Sequence, residues 1–384
     1  MSKPKLLICL LSICLVLALF CPTVLAQENQ EPTLSAQSAI LIEAESGQII
    51  CQKNADDKLP MASTTKIMTA LVALELSSPE TVITVHADAV GVEGSSVYLT
   101  EGEQLTLEQL LYAMMLESAN DAAAAIAIGI SGSIESFADE MNRKAKELGL
   151  SQTHFTNPHG LDHEEHYTTA YELSVITRSA LQNELFGQIV ATRKTTIPHA
   201  ADNCTRLLVN HNKLLRLYDG CVGVKTGFTK QSGRCLVSAA ERNGVKLIAV
   251  TLNSPDDWND HTKLFDFGFT QFKSVSLCQP EDITLSLPVV GGVSNSVMAV
   301  NTEELSVTLP VGHGVITYVL ETQHFEYAPL QAGQCLGKVI FYCDTNGDGI
   351  QEVIAETALV SCNAIEKQPV KRSFWQWLCS LFGF

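Results

Sequence analysis

Hydrophobic and polar residues alternate along this chain in two different ways, and the pattern changes near residue 275. Before that point, short strand-like runs are mixed with helical segments, beginning with residues 39–42 and 45–50, which predict a hairpin around a Ser-Gly turn. After it, segments such as 283–287 and 305–309 alternate with a period of two, with Gly and Pro between them. The pattern predicts an α+β domain over residues 36–274 and an all-β domain over 275–363.

Within the first part, further segments carry helix or strand signals. Residues 60–76 predict a helix with Ser63 near its first turn. Residues 105–127, rich in Ala and Leu, predict a second and largely buried helix. Residues 234–240 and 246–252 predict two antiparallel strands joined by a turn at Asn243-Gly244.

The first 26 residues have the composition of a signal peptide. Lys3 and Lys5 precede an almost unbroken apolar run over residues 6–20, and the segment ends at Ala26, a small residue suited to cleavage. An uncleaved membrane anchor is the alternative interpretation. Cleavage would give a mature chain that begins near Gln27 and works outside the cytoplasm.

The last segment, residues 370–384, predicts an amphipathic helix. Its apolar face carries Phe374, Trp377, Leu378 and Leu381. A basic cluster stands beside its start: Lys367, Lys371 and Arg372. The segment is too short to span a bilayer, but an aromatic face behind a basic cluster suits the interface of an anionic membrane. The alternative is a helix that docks on the protein's own core.

Composition narrows the possible functions. A net charge of −17 argues against a nucleic-acid partner, which requires a basic surface. Of the twelve cysteines, Cys9, Cys14 and Cys21 lie in the leader, and the remaining odd number contains no Cys-x-x-Cys pair. We therefore interpret the cysteines as small buried hydrophobic residues, and we expect no disulfide between Cys221 and Cys235.

Three short motifs stand in order in the α+β part: Ser63-Thr64-Thr65-Lys66, Ser118-Ala119-Asn120 and Lys225-Thr226-Gly227. A Ser-x-x-Lys pair is weak by itself, since the leader holds a second copy at Ser2 and Lys5. On a helix, residues three apart share a face, so Lys66 can bring its amine beside the Ser63 hydroxyl. A lysine activates a serine only if its pKa falls through burial or a neighbouring cation, for which Lys225 is the candidate.

The other two motifs supply the remaining parts of an acyl-transfer site. Ser118 is a candidate proton relay to a leaving amine, and Asn120 is a candidate contact for a substrate amide. Thr226 is suited to a terminal carboxylate, and Gly227 to the close approach of a substrate backbone. Backbone N–H groups at the helix start would stabilise a developing oxyanion.

In their sequence context these motifs resemble those of the D-alanyl-D-alanine carboxypeptidases, the low-molecular-mass penicillin-binding proteins. The resemblance rests on residues 60–69, 118–123, 157–161 and 224–229, and it covers the region 36–274. It implies a β-lactamase/transpeptidase-like fold, in which helices flank an antiparallel sheet and a helical subdomain forms the other wall of a cleft.

The resemblance also implies a reaction and its partners. Ser63 attacks the peptide bond between the two D-alanines of a peptidoglycan pentapeptide, with Lys66 as general base, and water hydrolyses the acyl-enzyme. The backbone N–H groups of Ser63 and Phe228 form the oxyanion hole. β-Lactams would trap Ser63 covalently. From the residues themselves we expect no metal or cofactor, and the leader and the C-terminal segment together predict an enzyme attached to the outer face of the cytoplasmic membrane.

Two departures separate this chain from the class A β-lactamases. Ala119 stands where those enzymes have Asp, and no Glu-x-x-Leu-Asn stretch that would supply a deacylating glutamate lies between Ser118 and Lys225. Both favour a carboxypeptidase, and we expect slow hydrolysis of the penicilloyl-enzyme.

Three alternatives stay open from sequence. Residues 163–166 read His-Glu-Glu-His, which lacks the His-Glu-x-x-His spacing of a zinc peptidase. Residues 344–349 resemble the start of a calcium loop, but Ala355 stands at its twelfth position, and a hairpin turn explains the segment. The third is a non-catalytic sensor of the same fold that binds β-lactams or muropeptides.

Two questions are left to the structure. A substrate carboxylate requires a cation, and Lys225, Arg206, Lys213 and Arg216 are the candidates. The role of His159, inside the Asn157-Pro158-His159-Gly160 segment, is also open.

Overall fold

The first part of the protein is built around an antiparallel sheet of five strands. The computed structural model describes residues 31–200, 204–345 and 347–369. The strands of this part are β1 Ser38–Glu43, β2 Ile49–Lys53, β3 Val82–Thr84, β4 Gln104–Thr106, β5 Lys194–Pro198, β6 Thr205–Val209, β7 Cys221–Thr229, β8 Gly233–Arg242 and β9 Val245–Leu252. The main sheet has the order β2-β1-β9-β8-β7, so β7 lies at its edge.

Helices cover both faces of this sheet. They are α1 Lys66–Leu76, α2 Leu107–Leu116, α3 Asn120–Ser131, α4 Ile134–Glu147, α5 Ala170–Ala180, α6 Glu184–Ala191, α7 Leu214–Leu217 and α8 Asp257–Gln271. Leu264 and Phe265 of α8 pack with Leu247 on one face, while Ile248 faces the larger core on the other. Mixed helices and antiparallel strands confirm the predicted α+β class.

The predicted hairpins form where turn chemistry allows them. β1 pairs with β2, and β8 pairs with β9. The turn between β8 and β9 holds Asn243 and Gly244 at φ of 50° and 77°, the left-handed conformation that a tight two-residue hairpin turn requires.

The prediction of a single helix over residues 105–127 is wrong in one respect, because the segment contains two helices. α2 begins at a capping box between Thr106 and Gln109 and ends before Glu117, and α3 begins at Asn120. Ser118, between them, has a left-handed backbone with φ of 60°, which an α-helix cannot contain. The break lies within the second motif and gives Ser118 and Asn120 different surroundings.

The second part is all strand among the described residues after α8. Its strands are β10 Phe272–Cys278, β11 Thr284–Val290, β12 Ser296–Val300, β13 Leu305–Pro310, β14 Thr317–Thr322, β15 Glu326–Tyr327, β16 Cys335–Cys343 and β17 Glu352–Ser361. Six of them form a sheet in the order β14-β16-β17-β12-β11-β15, and β10 pairs with β13. β10 runs across the predicted domain boundary at residue 274, and the predicted boundaries stay a prediction.

Several sequence features can now be placed. Asp344 accepts the backbone N–H groups of Gly347 and Gly349 in the turn between β16 and β17, as a hairpin turn requires. No group of three His, Cys, Asp or Glu among the described residues is arranged to hold a metal ion. Cys221 and Cys235 are free thiols.

The described helices include none with the length and apolar character needed to cross a bilayer. The predicted leader and C-terminal helix lie outside the described residues.

Candidate active site

Ser63 and Lys66 meet at the start of a helix, as their spacing predicts. Residues Ala62–Thr65 form a short 3-10 helix that continues directly into α1, and Lys66 is the first residue of α1. The Lys66 Nζ lies 2.9 Å from the Ser63 Oγ. The lysine side chain is completely buried, whereas Ser63 reaches the surface of a cleft.

The other partners of Lys66 indicate how a neutral amine would be used. Its Nζ donates to the Asn120 Oδ1 at 2.7 Å and to the backbone carbonyl of His159 at 2.5 Å. Both of these oxygens are acceptors only. A neutral amine has two N–H groups and one lone pair, so donation to these two oxygens leaves its lone pair for the Ser63 hydroxyl proton. The geometry therefore suits Lys66 as a base toward Ser63.

The electrostatic surroundings favour that neutral form. Burial lowers the pKa of Lys66 well below its usual range, and the positive charge of Lys225 lowers it further, while Asp121 acts in the opposite direction. Lys225 is also buried, and burial lowers its pKa to about 7. Both amines are buried, and burial makes the charged form of each less stable than it would be at the surface.

Asn120 has two partners inside the protein that its motif did not indicate. Its Oδ1 accepts from Lys66, and its Nδ2 donates to the Glu93 carbonyl at 2.5 Å. Both ends of the amide are thus engaged inside the protein. The contact with Glu93 fixes which end faces Lys66, so Asn120 orients the amine.

The turn that carries Ser63 is held between two glycines. Ala62 has a left-handed backbone with φ of 48°. A Cβ added to Gly160, which has φ of +90°, would lie 2.0 Å from the Ala62 carbonyl oxygen. A Cβ added to Gly227 would lie 3.1 Å from the Ser63 backbone nitrogen. The absence of a side chain at Gly227 therefore lets β7 pack closely against the Ser63 turn.

His159 acts through its backbone in this structure. Asn157 Oδ1 accepts the N–H of Gly160 at 2.7 Å and shapes the loop, which directs the His159 carbonyl at Lys66. Burial first, and the Lys66 charge second, lower the pKa of His159 to about 3. Its imidazole is thus neutral, and its Nδ1 accepts from the Leu161 N–H.

The site opens into a cleft of about 350 Å³ along β7. Five of the predicted site residues line it: Ser63, Ser118, Thr226, Gly227 and Phe228. The other three, Lys66, Asn120 and Lys225, are buried behind its surface. The structure therefore brings all eight together, in two layers. The outer layer can contact a substrate, and the inner layer sets the proton chemistry.

Of the cations proposed for a substrate carboxylate, Arg206 is excluded by its contacts. It is buried, and its guanidinium donates to both carboxylate oxygens of Glu103 and to the Val97 carbonyl. Lys213 lines the cleft, whereas Arg216 lies exposed on α7 and Lys225 is buried. Arg206 instead holds a loop of the cleft wall in place.

Asp121 is a site residue that the motifs did not point to. It is buried in the first turn of α3 and accepts from the Ser96 hydroxyl and from the backbone N–H groups of Val97 and Leu99. This loop also contains Ser95, whose carbonyl accepts the Asn120 N–H. A charged residue directly after Asn120, in a segment otherwise composed of alanine, was the available signal.

Three buried histidines predict that the protein loses stability in mild acid. Burial lowers the pKa of His159, His166 and His261 to about 3 each, from an ordinary value near 6.5. Between these values the unfolded chain binds protons that the folded chain does not. The stabilisation is therefore complete above pH 6.5 and is lost as the pH falls, by up to about 1.4 kcal/mol per pH unit for each histidine.

Urea unfolding at intervals from pH 7.5 to 5 measures this loss. Substitution of His261, which contacts Ser238 and Thr251 and lies outside the cleft, by glutamine should reduce the slope by up to about 1.4 kcal/mol per pH unit, the share of one histidine. A free energy of unfolding that is independent of pH over this range would contradict the assignment.

A buried lysine against a serine at a helix start, in a cleft along a sheet edge, defines an active-serine enzyme of the Ser–Lys type. Comparison with known proteins gives the family. The family model described as D-alanyl-D-alanine carboxypeptidase matches residues 25–256. The chain therefore belongs to the D-alanyl-D-alanine carboxypeptidase family, a family of serine peptidases. This confirms the resemblance seen in the sequence.

The similarity to individual members of the family extends over most of the chain. It is 32% identical to D-alanyl-D-alanine carboxypeptidase DacF of Bacillus subtilis, over 97% of this chain and 99% of the relative. It is 32% identical to DacC of Escherichia coli, over 88% and 87% of the two chains. Penicillin-binding protein 5 of Haemophilus influenzae has a similar structure, with a TM-score of 0.64 and 28% identity over 88% of this chain and 99% of that one.

Proposed function

We propose that this peptidase removes the terminal D-alanine from peptidoglycan pentapeptides through an acyl-enzyme on Ser63. The observation that carries the proposal is the buried Lys66 amine, which lies 2.9 Å from the Ser63 hydroxyl between two oxygens that can only accept. The family supports the substrate, because the relatives named above are D-alanyl-D-alanine carboxypeptidases.

In the first half of the reaction, Ser63 Oγ attacks the carbonyl carbon between the two D-alanines, and its proton passes to the Lys66 amine. The oxyanion accepts from the backbone N–H groups of Ser63 and Phe228. The C–N bond then breaks, and the proton that Lys66 took from Ser63 passes through the Ser118 hydroxyl to the leaving amine, so that Lys66 is neutral again. Free D-alanine leaves, and an ester on Ser63 remains.

In the second half, water attacks the ester carbonyl and gives up a proton to the neutral Lys66. The C–O bond to Ser63 breaks, the serine oxygen regains a proton, and the shortened peptide leaves. A penicillin follows the first half, but its leaving amine stays tethered in the opened ring. The penicilloyl-enzyme therefore persists, and β-lactams act as covalent inhibitors.

Labelling by a fluorescent penicillin and release of D-alanine from a peptide ending in D-Ala-D-Ala test the proposal together. Ser63→Ala should abolish both, because no other nucleophile replaces the lost oxygen. Ser286→Ala, at an exposed position of β11, is the matched control and should change neither. Labelling without release of D-alanine in the wild-type protein would instead support a β-lactam sensor, and labelling of Ser63→Ala would exclude Ser63.

We also propose that the leader exports the protein and that residues 370–384 attach it to the outer face of the cytoplasmic membrane. The support is the sequence alone: an aromatic face with basic residues beside it on an otherwise acidic chain. Such a segment binds anionic lipid through both buried apolar area and charge.

Cell fractionation tests the attachment. Removal of the residues after Pro369 should move the protein to the soluble fraction. Trp377→Glu, on the predicted apolar face, should weaken membrane binding strongly, and Gln376→Glu, the same acidic residue on the polar face, should have a small effect. Continued membrane association of the truncated protein would contradict the proposal.

A further inference from the structure

The loop that follows Gly160 contains a buried histidine that the proposed mechanism does not use. His166 is the second histidine of the His-Glu-Glu-His segment, and it is 3% exposed. Its ring packs edge-on against Phe155, with the two centroids 5.8 Å apart. Its Nε2 lies 2.8 Å from the hydroxyl of Thr65, which is also buried. The imidazole therefore reaches the motif of Ser63 from inside the protein.

The hydrogen-bond partners of His166 fix which ring nitrogen carries the proton. The backbone N–H of Thr156 donates to the Nδ1 at 3.1 Å, so this nitrogen is an acceptor. Burial first, and then the charges of His154 and His163, lower the pKa of His166 to about 3, so the imidazole is neutral. A neutral imidazole has one N–H group, which must then be at Nε2. The Nε2 is therefore a donor, and the Thr65 hydroxyl oxygen accepts from it.

Thr65 carries this contact on to the residue before Ser63. Its hydroxyl has a single proton, which it donates to the Ala62 carbonyl oxygen at 2.7 Å. Ala62 is the buried residue whose backbone is left-handed, with φ of 48°. A left-handed alanine is strained, and such strain persists only where the surroundings hold the residue in place. The hydroxyl that His166 orients is thus one of the groups that hold Ala62.

The Ala62 carbonyl and the Ser63 N–H belong to the same peptide group. Because a trans peptide group is planar, its N–H points opposite to its carbonyl, and the direction of one fixes the direction of the other. The Ser63 N–H is one of the two donors proposed for the oxyanion. The hydrogen bonds from His166 to Thr65 and from Thr65 to Ala62 therefore set the direction of an oxyanion donor.

The segment that carries His166 is also anchored beside the Ser63 turn through its backbone. Leu59, just before the turn, forms an antiparallel bridge with Thr168, and the two N–H to O contacts measure 2.8 and 3.0 Å between nitrogen and oxygen. Thr65 is the last residue of the short helix that holds Ser63. The segment therefore contacts the turn at both of its ends, which keeps the imidazole against the Thr65 hydroxyl.

We propose that His166 is a positioning residue for the oxyanion hole: its Nε2–H holds the Thr65 hydroxyl on the Ala62 carbonyl and so directs the Ser63 N–H at the developing oxyanion. The proposal rests on the proposed function, because it concerns a group that acts on the acyl-transfer transition state. It gives the second histidine of the His-Glu-Glu-His segment a role as a hydrogen-bond donor inside the protein.

Two amide substitutions separate the two ring nitrogens. The amide nitrogen of glutamine can replace Nε2 as a donor to Thr65, whereas the shorter asparagine reaches only the position of Nδ1. His166→Asn should lower the first-order rate of acylation by a fluorescent penicillin by about 30-fold, a part of what the loss of a whole oxyanion donor costs. His166→Gln should stay within about threefold of the wild type. The dissociation constant of the noncovalent complex should change little in both, because the oxyanion forms only on the way to the acyl-enzyme.

A double-mutant cycle tests whether His166 acts through Thr65. Thr65→Val removes the hydroxyl and should slow acylation to a similar extent as His166→Asn. The double variant should be no slower than Thr65→Val alone, because both changes break the same series of hydrogen bonds. His261→Gln is the matched control, since it alters another fully buried histidine between two hydroxyls, and it should acylate at the wild-type rate.

The labelled fraction and the position of the proton separate positioning from folding. A variant that only misfolds loses part of the labelled fraction, while the molecules that still react keep the wild-type rate. Nitrogen NMR of the histidine side chains in the wild-type protein should show the His166 proton on Nε2. The signal is assigned by its absence from the spectrum of His166→Gln.

Each result has one meaning. A wild-type protein that neither binds the penicillin nor releases D-alanine would overturn the proposed function itself. A proton on Nδ1 would overturn the role of His166 alone. The same holds for a wild-type acylation rate in His166→Asn, for equal losses in the glutamine and asparagine variants, and for a smaller labelled fraction at an unchanged rate.

Discussion

Lys66→Met should lower the rate of acylation by a fluorescent penicillin by about 1,000-fold, within the range that general bases contribute. Methionine keeps the length of the side chain and removes the amine that lies 2.9 Å from the Ser63 hydroxyl and is placed to accept its proton. The variant should fold, because the buried amine that it removes is itself costly to keep in a dry site. Release of D-alanine should fall with acylation.

Lys66→Arg distinguishes a base from a fixed positive charge. Arginine keeps the charge but is not deprotonated in proteins, so it should be as inactive as methionine if Lys66 acts as the base. An arginine variant with more than about a tenth of wild-type acylation would show that the charge suffices. Lys338→Met, which removes a surface ion pair with Glu356 on the second sheet, is the matched control and should acylate normally.

Gly160→Ala should lower acylation by about 100-fold or more without changing any predicted site residue. The added Cβ would lie 2.0 Å from the Ala62 carbonyl oxygen, so the loop or the Ser63 turn must move by about 1 Å, a displacement that can cost two orders of magnitude in rate. The His159 carbonyl next to it is also a partner of Lys66. One methyl group should therefore disturb the nucleophile and the base together.

Gly149→Ala is the control for the backbone strain in that variant. Gly149 has a similar left-handed conformation, with φ of +77°, but an added Cβ would meet nothing within 4 Å. It should lose about 1 kcal/mol of stability and keep its acylation rate. Measuring both variants by penicillin labelling and by urea unfolding separates strain from displacement. Equal acylation in the two variants would contradict the role given to the contact between Gly160 and Ala62.

The extent to which sequence predicted the site depended on how local each interaction is. Ser63 and Lys66 are three residues apart, so helical geometry alone brings them together. The partners that orient Lys66 are 54 and 93 positions away, at Asn120 and His159. The contact between Asn120 and Lys66 was not predicted, because no local pattern shows which way the Asn120 amide faces.

The basic residues near the cleft show the same limit of prediction from sequence. Arg206, a candidate from sequence, is bound to Glu103 across 103 positions, and Arg234 joins the cleft only because β8 pairs with β7. A list of basic residues cannot separate the two, because what differs is burial and pairing. The single predicted helix over 105–127 failed for a related reason: the left-handed Ser118 lies between two helical segments with no glycine or proline to mark the break.

The sequence by itself determined the family, the α+β class, the strand hairpins and the choice of the eight candidate site residues, because these depend on residue type, spacing and turn chemistry. The tertiary structure alone decided which of those residues line the cleft and which lie behind it. It also decided the neutral form that burial favours at Lys66, the close packing of Gly160 and Gly227 on the Ser63 turn, and the arginine that faces the cleft. Each of these depends on removal from water or on contacts between distant segments, and neither is encoded in any short stretch of the chain.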